Sequence, residues 1–340
     1  MKPEICLAPL QGLTDAIFRT TYAEFFDGID WSIAPFLTTL RGARIKPSHL
    51  KQVLPENNRR MPVVPQILSK TAAHFAAMAE VLYDLGYATV NWNLGCPFPM
   101  VAKKGRGSGM LPDSQAVRRF MDQALPRLSG RMSIKMRLGR YQSEEIERLL
   151  PELASYPIES IIIHPRTGAQ MYAGRPDLEA FERCLALTDH KVIYNGDILG
   201  SAGFTHLQVR FPGITTWMIG RGVMCNPFLP AAIKGQSLGQ DECRQRFYAF
   251  HEALFSRYAE VLFGPSHLLD KMKGLWTHFS TGYKEGPSLR KRIHKTRHVD
   301  QYCAVVRPFL LETAVREEAD GLWMMPASSP VRGQASCTLS

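Results

Sequence analysis

The sequence predicts an α/β fold: a (β/α)8 TIM barrel followed by a small C-terminal helical bundle. Three observations lead there. Short apolar runs alternate with amphipathic helical patterns up to about residue 235, several of these runs end in polar or glycine residues, and the spacing turns wholly helical from about residue 240. Alternating strands and helices imply a parallel sheet with right-handed crossovers, and eight strands suit a closed barrel of about 250 residues better than an open sheet.

The strands are read in order. EICLAP (4–9) is the first and DWSIAP (30–35) the second, with a helix over 14–26 between them. PVVPQIL (62–68), ATVNWNL (88–94), RMSIKMRL (131–138), SIIIHP (160–165), KVIYNGD (191–197) and TTWMIGRG (215–222) follow. Helical spacing fills 71–86, 113–128, 143–155 and 176–187. Beyond the barrel, helices are expected over 241–263, 266–283, 288–298 and 300–316. Residues 1–237 are thus the barrel and 238–318 a helical domain. Residues 319–340, rich in Pro, Ser and Gly toward the end, are a tail expected to be disordered.

Composition narrows the class. With 45% hydrophobic and 21% charged residues the chain is an ordinary globular protein, and its net charge of +10 favours a polyanionic partner. Seven scattered cysteines without a CxxC pair argue against a disulfide framework or a structural zinc site. The N-terminal MKPEICLAPLQG lacks a signal-peptide pattern, and no run of about 18 apolar residues occurs. A cytoplasmic monomer without a membrane span or bound metal is expected.

The strand ends converge on one face of a barrel, where active sites lie. Gln66, Asn93, Lys135, His164, Asn195-Gly196-Asp197 and Gly220-Arg221-Gly222 stand there. A lysine inside an apolar strand is costly unless it meets an acceptor, so Lys135 either reaches solvent at an edge or faces an electron-rich cofactor. The two glycine clusters, after strands seven and eight, are either plain turns or a phosphate cradle to which Arg221 adds charge. GRGSG (105–109), with Lys103, Lys104 and Arg106, lacks the spacing and preceding strand of a dinucleotide fingerprint. It is either a mobile basic loop or a lid that meets phosphates. His164 and Arg166, with Gln170 and Tyr172 following, suit substrate or phosphate contact better than a lone histidine would. Cys96, between Gly95 and Pro97, is expected at an exposed turn tip. It would serve as a nucleophile if a histidine stabilised its thiolate, or as a general acid if it kept its proton.

These segments resemble the flavin-dependent tRNA-dihydrouridine synthases, through APLQGLTD (8–15), PQIL (65–68), NLGCP (93–97), IKMRLG (134–139), HPRTGAQMYAG (164–174), NGDI (195–198) and IGRG (219–222). The resemblance covers about 5–235 strongly and the helical remainder weakly. It implies FMN as cofactor, NADPH as reductant, and uridine in tRNA as substrate. Hydride would pass from flavin N5 to uracil C6 and a proton from Cys96 to C5 on the opposite face. Pro9 and Leu10 would lie against the flavin ring, and Gln66, Lys135 and His164 would contact the isoalloxazine or its side chain. Asn195, Gly196, Asp197, Gly220 and Arg221 would line the phosphate end. Asn93 and Arg166 would help hold flavin or uracil. Lys284, Arg290, Lys291, Arg292, Lys295 and Arg297 would meet tRNA phosphates.

The sequence departs from the family pattern at Phe98-Pro99-Met100, where a lysine is usual, at Leu10 for methionine, and at Pro165 for glycine. Two other readings stand beside this one. A barrel reductase of a small enone or pyrimidine leaves the charge unexplained, and an inactive RNA-binding barrel leaves Cys96 and Lys135 idle.

Overall fold

The computed structural model describes residues 2–38 and 47–313. The expected tail over 319–340 lies outside them, as do positions 314–316 of the last expected helix. The strands are β1 (Glu4–Leu7), β2 (Trp31–Ile33, resumed at Leu37–Thr38), β3 (Val63–Val64, resumed at Gln66–Leu68), β4 (Thr89–Leu94), β5 (Arg131–Gly139), β6 (Ile158–Thr167), β7 (Val192–Tyr194) and β8 (Thr216–Ile219). Every pairing is parallel.

The ladder begins with the second halves of β2 and β3, runs through β4 to β8 and then β1, and ends on the first halves of β2 and β3. Because the same two strands form both ends, the sheet closes on itself. Each interruption falls at a proline, Pro35 in β2 and Pro65 in β3. A proline has no N–H to give to the ladder. Sequence reading missed the resumption of β2 at Leu37 because Pro35 looks like a strand end.

Aspartates start three of the barrel helices. Asp15, Asp113 and Asp177 accept the backbone N–H of Phe18, Ala116 and Ala180, at 2.9, 2.9 and 2.8 Å. These caps fix Ala16–Phe25, Ser114–Ala124 and Leu178–Ala186 close to where spacing predicts them.

Alternation along each strand sorts the side chains. Ile5 and Leu7 join the large core between sheet and helices, while Cys6 and Ala8 join a smaller inner cluster with Ile33, Ile162, Ile193 and Met218. Followed toward the carboxyl rim, the inward columns change character. Ser133 leads to Lys135 and Arg137, Ile162 to His164 and Arg166, Ile193 to Asn195 and Asp197, and Met218 to Gly220. Register sets Asn93 beside Lys135 and Arg137 beside His164. The barrel is greasy at its base and charged at its mouth.

Beyond the barrel lie helices Gln240–Val261, Pro265–Phe279, Gly286–Lys295 and Val299–Glu312. The first packs along Ala16–Phe25. The Phe250 ring meets those of Phe18, Tyr22, Phe25 and Phe26 at centroid distances of 5.9, 6.4, 6.1 and 4.8 Å. Arg257 donates to Thr21 and Glu24 (2.8 and 2.6 Å), and Lys271 and Tyr258 both donate to Asp15 (2.5 and 2.7 Å). One apolar cluster runs through both regions, so the boundary expected at 237/238 divides the topology but not the core.

Phe250→Ala, which removes a fully buried ring at this junction, should cost about 3–5 kcal/mol. Barrel and helices should still unfold in one transition when followed by far-ultraviolet dichroism and by the fluorescence of the tryptophans, which lie in both regions. Two separated transitions in the unmodified protein would contradict a shared core.

Candidate active site

Cys96 follows the end of β4, on the rim face. It is 7% exposed, so the expected exposed turn tip is corrected: the thiol is covered. The cover is the GRGSG segment. It folds into a helical turn, Gly107–Met110, in which Gly107, Ser108 and Met110 are buried. Gly107 has φ +55°, and a Cβ there would lie 2.8 Å from both Cβ and the carbonyl oxygen of Cys96. The backbone of Cys96 is held at both ends. Its carbonyl accepts the Ser108 N–H (3.1 Å) and hydroxyl (3.0 Å), and its N–H donates to Asn93 Oδ1 (2.9 Å).

Asn93 is one member of an amide chain buried under the rim. Its Nδ2 donates to Gln66 Oε1 (2.7 Å), Gln66 Nε2 donates to Asn91 Oδ1 (2.8 Å), and Asn91 Nδ2 donates to Ser133 Oγ (2.8 Å). The chain links β3, β4 and β5 and sets the turn on which Cys96 sits. Burial pushes the Cys96 thiol up, against smaller opposing effects from the Phe98 backbone, Arg137 and Lys135. The thiol keeps its proton at neutral pH. That suits an acid better than a thiolate nucleophile.

Lys135 faces the same mouth. Burial first, then the neighbouring Arg137 charge, lower its amine from 10.5 to about 7. Nζ has no hydrogen-bond acceptor among the described residues. Lys135 is half-buried, and a cation held there without a partner among the described residues is costly, so an electron-rich ligand in the mouth would relieve it.

On the other side, Asp197 bridges two guanidinium groups. It accepts from Arg166 Nη1 and Nη2 (3.1 and 2.5 Å) and from Arg221 Nη2 (2.5 Å). Burial alone would raise the Asp197 carboxyl, but the bonds and charges of Arg166 and Arg221 outweigh it and hold the group low. Arg166 also donates to the carbonyls of Ala173 (3.3 Å) and Gly174 (2.7 Å) and to His164 Nε2 (3.1 Å). An arginine has five N–H donors, so Arg166 is fully engaged within the chain and presents none to a ligand. Because arginine only donates, His164 Nε2 carries a lone pair and the ring proton sits on Nδ1. Burial and then the charges of Arg137, Lys135, Arg166 and Arg221 push His164 well below its ordinary range, keeping it neutral.

The remaining expected residues divide. Pro9 and Leu10 sit on a rim turn fixed by Thr14, whose Oγ1 accepts the Leu10 N–H (2.8 Å). Gly220 lies where a Cβ would come within 3.2 Å of Ala8, and one on Gly196 within 2.1 Å of the Tyr194 hydroxyl. Asn195 donates to the Met218 carbonyl (2.9 Å). Arg221 has only Asp197 as an acceptor, leaving its Nε and Nη1 without one among the described residues. Lys103 and Lys104 are exposed beyond the cysteine turn, and Arg106 is half-buried, its Nε without a partner.

Arg137 was missed from sequence. It is 2% exposed and donates to the carbonyls of Thr167 and Met171 (2.8 and 2.6 Å). The Tyr172 ring lies 5.2 Å from the guanidinium of Arg137 and 5.2 Å from that of Arg221. The signal for Arg137 is its place two residues beyond Lys135 on the same side of β5.

No group of three or more His, Cys, Asp or Glu among the described residues is placed to hold a metal ion. No helix among them is long and apolar enough to cross a membrane.

The chain is similar to a probable tRNA-dihydrouridine synthase of Staphylococcus epidermidis (strain ATCC 35984), 30% identical over 67% of this chain and 71% of the relative. It is 25% identical to one of Staphylococcus aureus (strain MRSA252) over 91% of this chain and 93% of the relative. One of Rhodobacter capsulatus is 26% identical, over 71% and 74%. A solved structure of TcOYE with pHBA superposes at a TM-score of 0.50 and 9% identity, over 69% of this chain and 91% of that one, a likeness of fold alone. The family model described as Dihydrouridine synthase (Dus) matches residues 6–313. The chain belongs to the dihydrouridine synthase family and is an oxidoreductase.

Proposed function

We propose that the chain reduces uridine in tRNA to 5,6-dihydrouridine, with FMN held in the barrel mouth and NADPH as reductant. The observation that carries this reading is the pair Cys96 and Lys135: a thiol kept protonated on a fixed turn, and a sunken amine without a partner in the same mouth. Family membership and the names of the relatives support the substrate.

When bound, a flavin supplies the hydride for C6 of the uracil ring. The chain's own residues do the rest. Lys135 would hold the electron-rich edge of the cofactor and balance its charge. Arg221, steadied by Asp197, would meet its phosphate, with Asn195, Gly196 and Gly220 shaping that end and Pro9 and Leu10 lying against the ring. Cys96 would give its proton to C5 from the opposite face, and Asn93, through the Cys96 N–H, would keep the sulfur aimed there. Neutral His164 would offer its Nδ1 proton to an acceptor. Gln66 would act through Asn93, Arg166 through Asp197 and His164. Tyr172, Lys103, Lys104 and Arg106 would meet the RNA around the target base, which must leave its stack to reach the mouth. The basic residues over 284–297 would extend that contact, and the reading places the protein in the cytoplasm as a monomer.

The test is to purify the protein, record its flavin absorbance, and measure dihydrouridine in tRNA from cells with and without the gene. A colourless protein that takes up no FMN would sink the proposal, and a yellow one with unchanged tRNA would point to a small-molecule reductase.

Cys96→Ala should keep flavin binding and NADPH oxidation but form dihydrouridine about 100-fold or more slowly, the usual contribution of a positioned acid. Full product formation by this variant at neutral pH would refute the acid role.

Lys135 gives a second prediction, with a sign fixed by linkage. Its amine titrates at about 7 in the folded chain and near 10.5 when unperturbed, so the unfolded chain binds the extra proton between those values. The penalty on the flavin-free protein is complete below about pH 7 and fades as pH rises toward 10.5. Lys135→Met should therefore raise the Tm of flavin-free protein at pH 7 by about 2 °C or more, with a smaller gain at pH 10, while weakening FMN retention. An unchanged Tm at both pH values would show that the amine carries no burial penalty.

A further inference from the structure

We propose that Tyr141 is a stacking platform for a nucleobase neighbouring the uridine that is reduced. The inference rests on the tRNA reading above and assigns a residue to which that reading gives no role.

Tyr141 stands two residues past the end of β5, on the rim face, and is 65% exposed. An exposed tyrosine alone means little, since single apolar groups are common on protein surfaces. The pedestal beneath this one is unusual. Glu145, itself only 6% exposed, accepts the backbone N–H groups of Arg140, Tyr141 and Gln142 at 2.7, 3.0 and 3.2 Å. At Gly139 an added Cβ would lie 1.9 Å from the Gln142 carbonyl oxygen, so the turn closes tightly on itself. The backbone that presents the ring is fixed before any ligand arrives, and little ordering entropy remains to be lost on binding.

The turn is also coupled to the chemistry. Arg140 Nη1 donates to the carbonyl of Pro97 (3.1 Å), the residue after Cys96, and the Arg140 guanidinium lies 5.5 Å from the centre of the Tyr141 ring. Arg140 therefore joins the aromatic group to the thiol turn and places a positive charge beside both. Aromatic ring, adjacent cation and rigid backbone are what a splayed single strand of RNA binds: bases stack on the ring and phosphates meet the charge. A base extruded into the barrel mouth leaves its neighbours unstacked at the rim, where a fixed ring can replace the lost contact. Every base has a π-face, so the platform carries no base preference of its own.

The test uses full-length, flavin-loaded protein and an unmodified tRNA transcript. Stacking is worth about 1–3 kcal/mol per base, so Tyr141→Ala should raise the tRNA Kd and KM by about 5- to 150-fold. NADPH oxidation without tRNA and the Tm should stay as in the unmodified protein. Tyr141→Phe, which keeps the ring, should restore both constants. The slope of log affinity against log salt should be unchanged in Tyr141→Ala, because no phosphate contact is lost. Phe263→Ala, at a ring 94% exposed that follows helix Gln240–Val261 and lacks the Glu145-held turn and the Arg140 contact, serves as the control for loss of an exposed ring and should change nothing. An unmodified protein that binds and reduces tRNA while Tyr141→Ala matches it would overturn the stacking role alone. A Tyr141→Phe variant as weak as the alanine would overturn it in favour of the hydroxyl. An unmodified protein that neither binds nor reduces tRNA would overturn this role together with the reading beneath it.

Discussion

Four basic side chains crowd the mouth of this barrel, and a single carboxylate there pairs with two of them. Lys135, Arg137, Arg166 and Arg221 are sunken there, and Asp197 is paired with two of them. Burying charge is tolerated only where hydrogen bonds replace water. Much of the rim is folded to meet that demand. Arg166 and Arg137 draw the carbonyls of Thr167, Met171, Ala173 and Gly174 around them, so the loop after β6 is wrapped about two guanidinium groups. Met171 takes φ +54° in this loop, a left-handed backbone that a residue with a side chain rarely adopts, and its carbonyl is one of the acceptors. Burial, reinforced by the positive field, keeps His164 neutral, and burial followed by crowding from Arg137 lowers the Lys135 amine. The rim is arranged around the need to accommodate these charges.

The thiol follows a separate logic. Its turn is positioned by neutral amides, from Ser133 through Asn91 and Gln66 to Asn93, and is roofed by Gly107 and Ser108. Neutral bonds place Cys96 without adding a base to take its proton. Burial then sets the balance, and the positive neighbours oppose it only in part. Charge is concentrated on the side of Lys135, Arg137, Arg166 and Arg221, and neutral bonds surround the thiol.

Strand alternation made most of this legible in the sequence. The same period of two that singled out Lys135 extends to Arg137, Asn91 and Ser133, which are inward because they sit two residues apart along β4 and β5. What the sequence could not show is what lies on top of what. Cys96 reads as exposed because its own neighbours form a turn, and its cover arrives from Gly107, eleven residues later. The engagement of Arg166 is hidden too, because two of its partners are backbone carbonyls and the others, Asp197 and His164, are met only in the fold. The apolar stripe of helix Gln240–Val261 is visible as a pattern, but its docking on Ala16–Phe25 depends on Phe250 meeting rings far away in sequence. The resumption of β2 was hidden because proline ends many strands and here only interrupts one.

The departure from the family pattern at Phe98-Pro99-Met100 has a physical account. Pro99 opens a single helical turn, Pro99–Ala102, a position where its missing N–H costs nothing. That turn carries the basic residues of the segment outward, so Lys103 and Lys104 stand exposed at its far end rather than beside the thiol. A cation next to the cysteine turn is present nonetheless, and it comes from the neighbouring strand end: Arg140 reaches the Pro97 carbonyl at 3.1 Å. A lysine on the turn itself would be a flexible point charge. An arginine reaching in from the turn after β5, whose backbone Glu145 already holds, is fixed at both ends and carries Tyr141 with it. The positive charge at this lip of the barrel is thereby tied to an exposed aromatic ring on a fixed backbone.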